Sequence, residues 1–211
     1  MKAAYWALLA AAVLPTVASA NQAGDVIVRA GTATVRPTAN SPSVLGSLGS
    51  FDVSNNTQLG LTLGYMWTDN IGMELLAATP FKHKIGLNGI GDIASVKQLP
   101  PSLMAQYYFG SKEDKLRPYL GLGVNYTTFY SAHFNQTGSD AGLSDLSLKH
   151  SWGLATQAGL DYNLNKNWLL NASVWWLDIN TTARFKADGE QQSVKTQINP
   201  WVFMFSVGYK F

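Results

Sequence analysis

The chain has 211 residues, a formal charge of +2, no cysteine, and 13% charged against 12% aromatic residues. Lack of cysteine excludes disulfides and thiolate metal sites, and a near-balanced charge without a basic run excludes the electrostatic footprint of a nucleic-acid binder. Charged residues make up about a quarter of an ordinary soluble domain, so this composition, with its 19 glycines, fits membrane β-structure better than a solvated globule.

The chain opens with Lys2, an apolar run over 3–13, and the small residues Ala18, Ser19 and Ala20. This is the pattern of an export signal cleaved after Ala20, and the apolar run is too short for a spanning helix. Residues 21–211 are then one domain. Period-two alternation predicts eight strands in it. The first covers 25–36. The second, 57–68, aligns Leu59, Leu61, Leu63, Tyr65 and Trp67 on one face, and the third follows a tight turn at 68–70 and aligns Ile71, Met73, Leu75 and Ala77. The fourth, 97–109, aligns Leu103, Ala105, Tyr107 and Phe109; the fifth, 117–131, aligns Leu120, Leu122, Val124, Tyr126 and Tyr130. The sixth covers 149–162 with Trp152, Leu154 and Tyr162 together, and the seventh covers 168–181. In the eighth, Trp201, Phe203, Phe205, Val207, Tyr209 and Phe211 share one face, and the segment ends on the aromatic residue.

Connections after strands two, four and six are short, and those after one, three, five and seven are long. An even strand number with that asymmetry fits an all-β, eight-stranded antiparallel transmembrane β-barrel with periplasmic turns and long extracellular loops, located in the outer membrane. A soluble barrel of the lipocalin kind is the competing architecture. It would show a polar exterior, whereas the face opposite the oily one here is rich in glycine (Gly121, Gly123, Gly153, Gly159) and suits a narrow lumen. The aromatic terminus, Tyr209 and Phe211, is expected to be the signal read by the barrel-assembly machinery.

With the oily faces toward lipid, the complementary positions line the lumen. Arg29, Glu74, Gln157, Asp161 and Lys210 fall near its periplasmic end. Buried ions must pair, and Arg29 and Glu74 lie at equal height, so a polar plug is expected there, with a proton or ion path as the alternative. Leu76, Met104, Phe129, Trp175, Leu177, Val202 and Met204 fall higher on the inward face. They suit either a path for a small hydrophobic ligand or the ordinary packed interior of a small barrel. Pro80, Pro100 and Pro101 cluster at the extracellular end of one hairpin. Each removes a ladder donor, so the wall either terminates there or opens sideways into lipid. The loops above carry Val44, Leu45, Leu48 and Phe51, and Phe81, Ile85, Leu87 and Ile90, which suit either a cover over a greasy entrance or simply a rigid rim.

The segments LPPSLMAQYYF (99–109), RPYLGLGVNYTTFY (117–130), NWLLNASVWWLDINTTARF (167–185) and NPWVFMFSVGYKF (199–211) resemble the outer membrane protein W family over nearly the whole exported chain. That resemblance implies an eight-stranded barrel whose hydrophobic channel helps small apolar molecules cross the outer membrane, with lateral release through the wall. It also implies bacteriocins as partners of some members. Pro100, Pro101 and Trp175 match the family pattern. The alternative is a structural anchor or surface receptor that transports nothing.

Catalysis has little to stand on. His83, His133 and His150 fall in or beside the long loops, where histidines are ordinarily solvated, and no Gly-x-Ser-x-Gly elbow or metal spacing occurs. No enzyme activity, cofactor, metal or nucleic-acid partner is expected. The expected partners are outer-membrane lipid and small hydrophobic solutes, and the expected state is a monomer.

Overall fold

A computed structural model describes residues 21–43, 50–87 and 90–211. The expected signal at 1–20 and the loop residues Val44, Leu45 and Leu48 lie outside them.

Eight strands close into an antiparallel barrel. In chain order they are β1 (Val26–Arg36), β3 (Asn56–Met66), β4 (Ile71–Ala78), β7 (Ser102–Tyr108), β8 (Leu116–Phe134), β10 (Ser151–Asn163), β11 (Trp168–Leu177) and β14 (Trp201–Lys210). Closure runs through β14 against β1, from Ile27 opposite Lys210 to Arg36 opposite Trp201, and through β10 against β8. Full closure leaves no strand edge, as a bilayer demands. The oily positions point outward: Leu63, Tyr65, Trp67, Leu120, Leu122, Leu154 and Phe205 are all exposed on the barrel wall. Aromatic side chains gather at both rims. Trp168, Tyr209 and Phe211 interlock with ring centroids 4.9 and 4.7 Å apart at the turn end, while Tyr126 meets Trp152 at 4.7 Å on the far side. Such girdles mark the two membrane interfaces.

The long connections are built differently from the expectation. Six further strands extend the wall beyond the outer girdle: β2 (Phe51–Val53), β5 (Phe81–Leu87), β6 (Gly91–Leu99), β9 (Leu143–Leu148), β12 (Asn180–Ala187) and β13 (Glu190–Gln197). A short helix α1 (Gln136–Asp140) is capped by the Asn135 side chain, which accepts from the Gly138 amide. In this upper tier the alternation inverts. On β5, Phe81, His83, Ile85 and Leu87 point inward and Lys82 and Lys84 outward. On β12, Thr181, Ala183, Phe185 and Ala187 are buried. Water replaces lipid outside the wall, so the apolar side turns in. Two predicted strands are also interrupted. The one at 97–109 breaks at Pro100 and Pro101, which cannot donate to a ladder, and the one at 168–181 breaks at Asp178 and Ile179.

Candidate functional site

The lumen has three levels. At the bottom, β1 brings Arg29 and β4 brings Glu74 to one height, and the two side chains form a buried ion pair. Arg29 also donates to Asp161 at 2.7 Å and to the Tyr108 hydroxyl at 3.0 Å. Glu74 accepts from Gln106 and Gln157, each at 2.9 Å. The second oxygen of Asp161 accepts from Asn171 at 2.7 Å, and Asn21 donates to the first at 2.8 Å. Lys210 sits lower and donates to Asn163 at 2.8 Å. Gly159 makes room for this plug: a Cβ there would lie 2.2 Å from the Tyr119 ring. Every carboxylate is paired and hydrogen-bonded, which is what a desolvated charge needs. The floor is therefore a hydrogen-bonded polar plug, in which Arg29 Nε and Asn21 Oδ1 have no partner among the described residues. Sequence phase places all five of its expected members. Tyr108, Tyr119, Gln106 and Asn171, which complete the network, escape notice, although the same inward phase marks them.

Above the plug, Leu76, Met104, Trp175, Leu177, Val202 and Met204 are all buried and belong to one apolar cluster. Trp175 lies opposite Gln157 and Met104 opposite Glu74 in the strand register, so this layer rests directly on the polar one. The third level is a cavity of about 30 Å³ within the upper tier, walled by Phe51, Ile85, Ile93, Phe129 and Ile198 among others. Of the seven residues expected along an apolar path, Phe129 alone lines it; the other six form the packed layer below.

Two features of this level overturn sequence expectations. His83 is not a solvated loop histidine: it is 1% exposed and its Nδ1 lies 2.6 Å from the Ser54 carbonyl. Burial holds its pKa below the ordinary 6.5. Phe81, Ile85, Leu87 and Phe51 are wall residues pointing into the tier rather than a loop cover. The other two histidines sit elsewhere. His133 pairs with Ser95 at 3.1 Å, and His150 accepts from the Phe129 amide at 3.3 Å.

The prolines mark a gap in the wall. Pairing of β4 with β7 stops at Leu76 opposite Ser102, and pairing of β5 with β6 begins at Phe81 opposite Gln98. Pro80, Pro100 and Pro101 lie between. On the β8 side of these prolines the buried Asn125 amide donates to the Pro100 and Pro101 carbonyls at 3.2 Å each and to the Ser102 hydroxyl at 2.9 Å, and the Tyr126 amide donates to the Pro101 carbonyl at 3.0 Å.

The model of the OmpW family matches residues 22–211. Outer membrane protein W of Escherichia coli (strain K12) is 60% identical over 205 residues, 97% of this chain and 97% of its own length. The crystal structure of the outer membrane protein OprG from Pseudomonas aeruginosa is similar with a TM-score of 0.86 at 41% identity, over 92% of this chain and 99% of that one. Outer membrane protein AlkL of Ectopseudomonas oleovorans is 28% identical over 172 residues, 79% of this chain and 72% of its own.

Proposed function

Because the chain belongs to the OmpW family of outer-membrane barrels, we propose that it is an outer-membrane channel for uptake of small hydrophobic molecules, which leave sideways into the membrane. The observation that carries this reading is the apolar cavity of the upper tier, stacked over a polar, ion-paired floor. A greasy solute gains by entering the cavity and would lose by crossing Arg29, Glu74 and Asp161, because it cannot replace the hydrogen bonds of those charged groups that it would break. The gap at Pro80, Pro100 and Pro101 offers an exit, because ladder pairing stops at Leu76 opposite Ser102 and resumes only at Phe81 opposite Gln98. An apolar void of about 150 Å³ accommodates benzene, so the resting cavity is smaller than such cargo. Loading therefore displaces wall side chains, Phe129 first among them.

Uptake of n-decane by Gram-negative cells with and without the protein tests this. Wild type should raise the initial rate severalfold, and Phe129→Asp should remove the gain while remaining heat-modifiable on gels. Equal rates with and without the protein overturn transport and leave the anchor or receptor reading.

A further inference from the structure

Three residues that line the apolar cavity each carry a buried polar atom with no hydrogen-bond partner among the described residues: His83 Nε2, Gln98 Nε2 and Thr196 Oγ1. The three are 1%, 1% and 6% exposed. An unpartnered buried polar group is destabilising, and native interiors seldom keep one without a reason. Three in a single small apolar chamber indicate a ligand. His83 and Gln98 stand on adjacent strands, since His83 lies opposite Val96 and Gln98 two positions further along β6. Both face inward. Thr196 reaches the cavity from β13.

The chemistry of the trio defines what it would hold. Nδ1 of His83 faces a carbonyl oxygen, which can only accept, so Nδ1 carries the proton and Nε2 presents a bare lone pair. Gln98 offers amide N–H donors, and the Thr196 hydroxyl both gives and takes. A guest that donates one hydrogen bond and accepts another satisfies the set. An alkane satisfies none of it, and an ether or ester leaves His83 bare. A carboxylate would bring an unpaired charge into an apolar chamber.

We infer that the cavity is a binding site for the hydroxyl end of a medium-chain aliphatic alcohol, whose hydroxyl donates to His83 Nε2 and accepts from Gln98, with Thr196 completing its shell. This deepens the proposed uptake of hydrophobic molecules and rests on that reading for its route, though not for the binding itself.

The test uses the full barrel in lipid nanodiscs, labelled with 15N-histidine, with 1-octanol and n-nonane as probes. Octanol should move the His83 Nε2 resonance in the direction of an accepted hydrogen bond, and nonane should leave it in place. Gln98→Leu and Thr196→Val should each weaken the octanol titration by about tenfold, the order of one net hydrogen bond, with nonane unaffected. Partitioning into lipid is common to wild type and variants, so it cancels. A His83→Phe variant that folds should abolish the preference; if it fails to fold, the two near-isosteric variants decide. A resonance that octanol leaves unchanged overturns the proposal and assigns the trio to resident water. Because the resonance is read at equilibrium, absent decane uptake would sink the transport reading alone. Intact decane uptake with an octanol-blind His83 would sink the hydroxyl site alone.

Discussion

Arg29 stands between two carboxylates, and its two partners are not equivalent. It shares Glu74 with two glutamine amides, whereas Asp161 also binds Asn171 and Asn21. Glu74→Gln removes one negative charge yet leaves Arg29 paired with Asp161, so its effect should be the smaller. Arg29→Met strands two buried carboxylates and should lower unfolding stability by about 3–5 kcal/mol, the range for a broken buried pair. Urea titrations in lipid vesicles measure both. Equal and small losses would mean that the floor tolerates uncompensated charge. The histidine in the upper tier gives a second expectation. Its folded pKa is depressed, so the unfolded chain binds the extra proton first as pH falls. Stability should therefore be flat above about pH 6.5 and decline below it, and His83→Phe should flatten that decline. Thermal melts between pH 8 and pH 5 would expose a contrary sign. Inward phase alone makes Arg29 and Glu74 legible in the sequence. His83 is hidden because its strand reads as a loop, and nothing in the segment FKHKIGL declares that water lies outside it.

That segment carries the lesson at the level of elements. Alternation of period two fixes which residues share a face, and it identifies all eight membrane strands. It cannot say which face meets the outside, because the outside changes from lipid to water along one continuous wall. β5 repeats the alternation of β14 with the opposite sense: Lys82 and Lys84 outside, Phe81 and Ile85 inside, against Phe203 and Phe205 outside. The prolines stand near this crossover, and their meaning is mechanical. They take two backbone donors out of the wall, while the carbonyls of Pro100 and Pro101 stay held by Asn125, Ser102 and Tyr126. Replacing both by valine supplies two backbone donors and β-branched side chains suited to a strand. The seam should tighten, and hydrophobic uptake should fall severalfold in a barrel that still folds and remains heat-modifiable. Wild-type uptake in the folded double variant would close the lateral route. Asn125→Ala should act in the opposite sense, because each of the same carbonyls loses one of its donors.

For the whole molecule, the decisive event is closure of β14 onto β1, the two strands furthest apart in sequence. The last residue takes part through its backbone: the Phe211 amide donates to Val26 at 2.9 Å, and its carbonyl accepts from the Val26 amide at 3.4 Å. The ring itself is 71% exposed and touches Tyr209 at the inner girdle. Backbone and ring therefore do separable things, and two variants distinguish them. Deleting Phe211 removes both closing hydrogen bonds and the aromatic group. Phe211→Ala keeps the hydrogen bonds and removes only the ring. If the ring is what the assembly machinery reads, both variants should lower outer-membrane yield severalfold and leave unfolded protein in the periplasm. The alanine variant, once inserted, should unfold close to wild type, because one exposed girdle contact changes stability by about 1 kcal/mol or less. If closure is what matters, the deletion alone should suffer. Heat-modifiable barrel at wild-type yield in the alanine variant would therefore remove the assembly role from Phe211 and leave its backbone as the only part that counts.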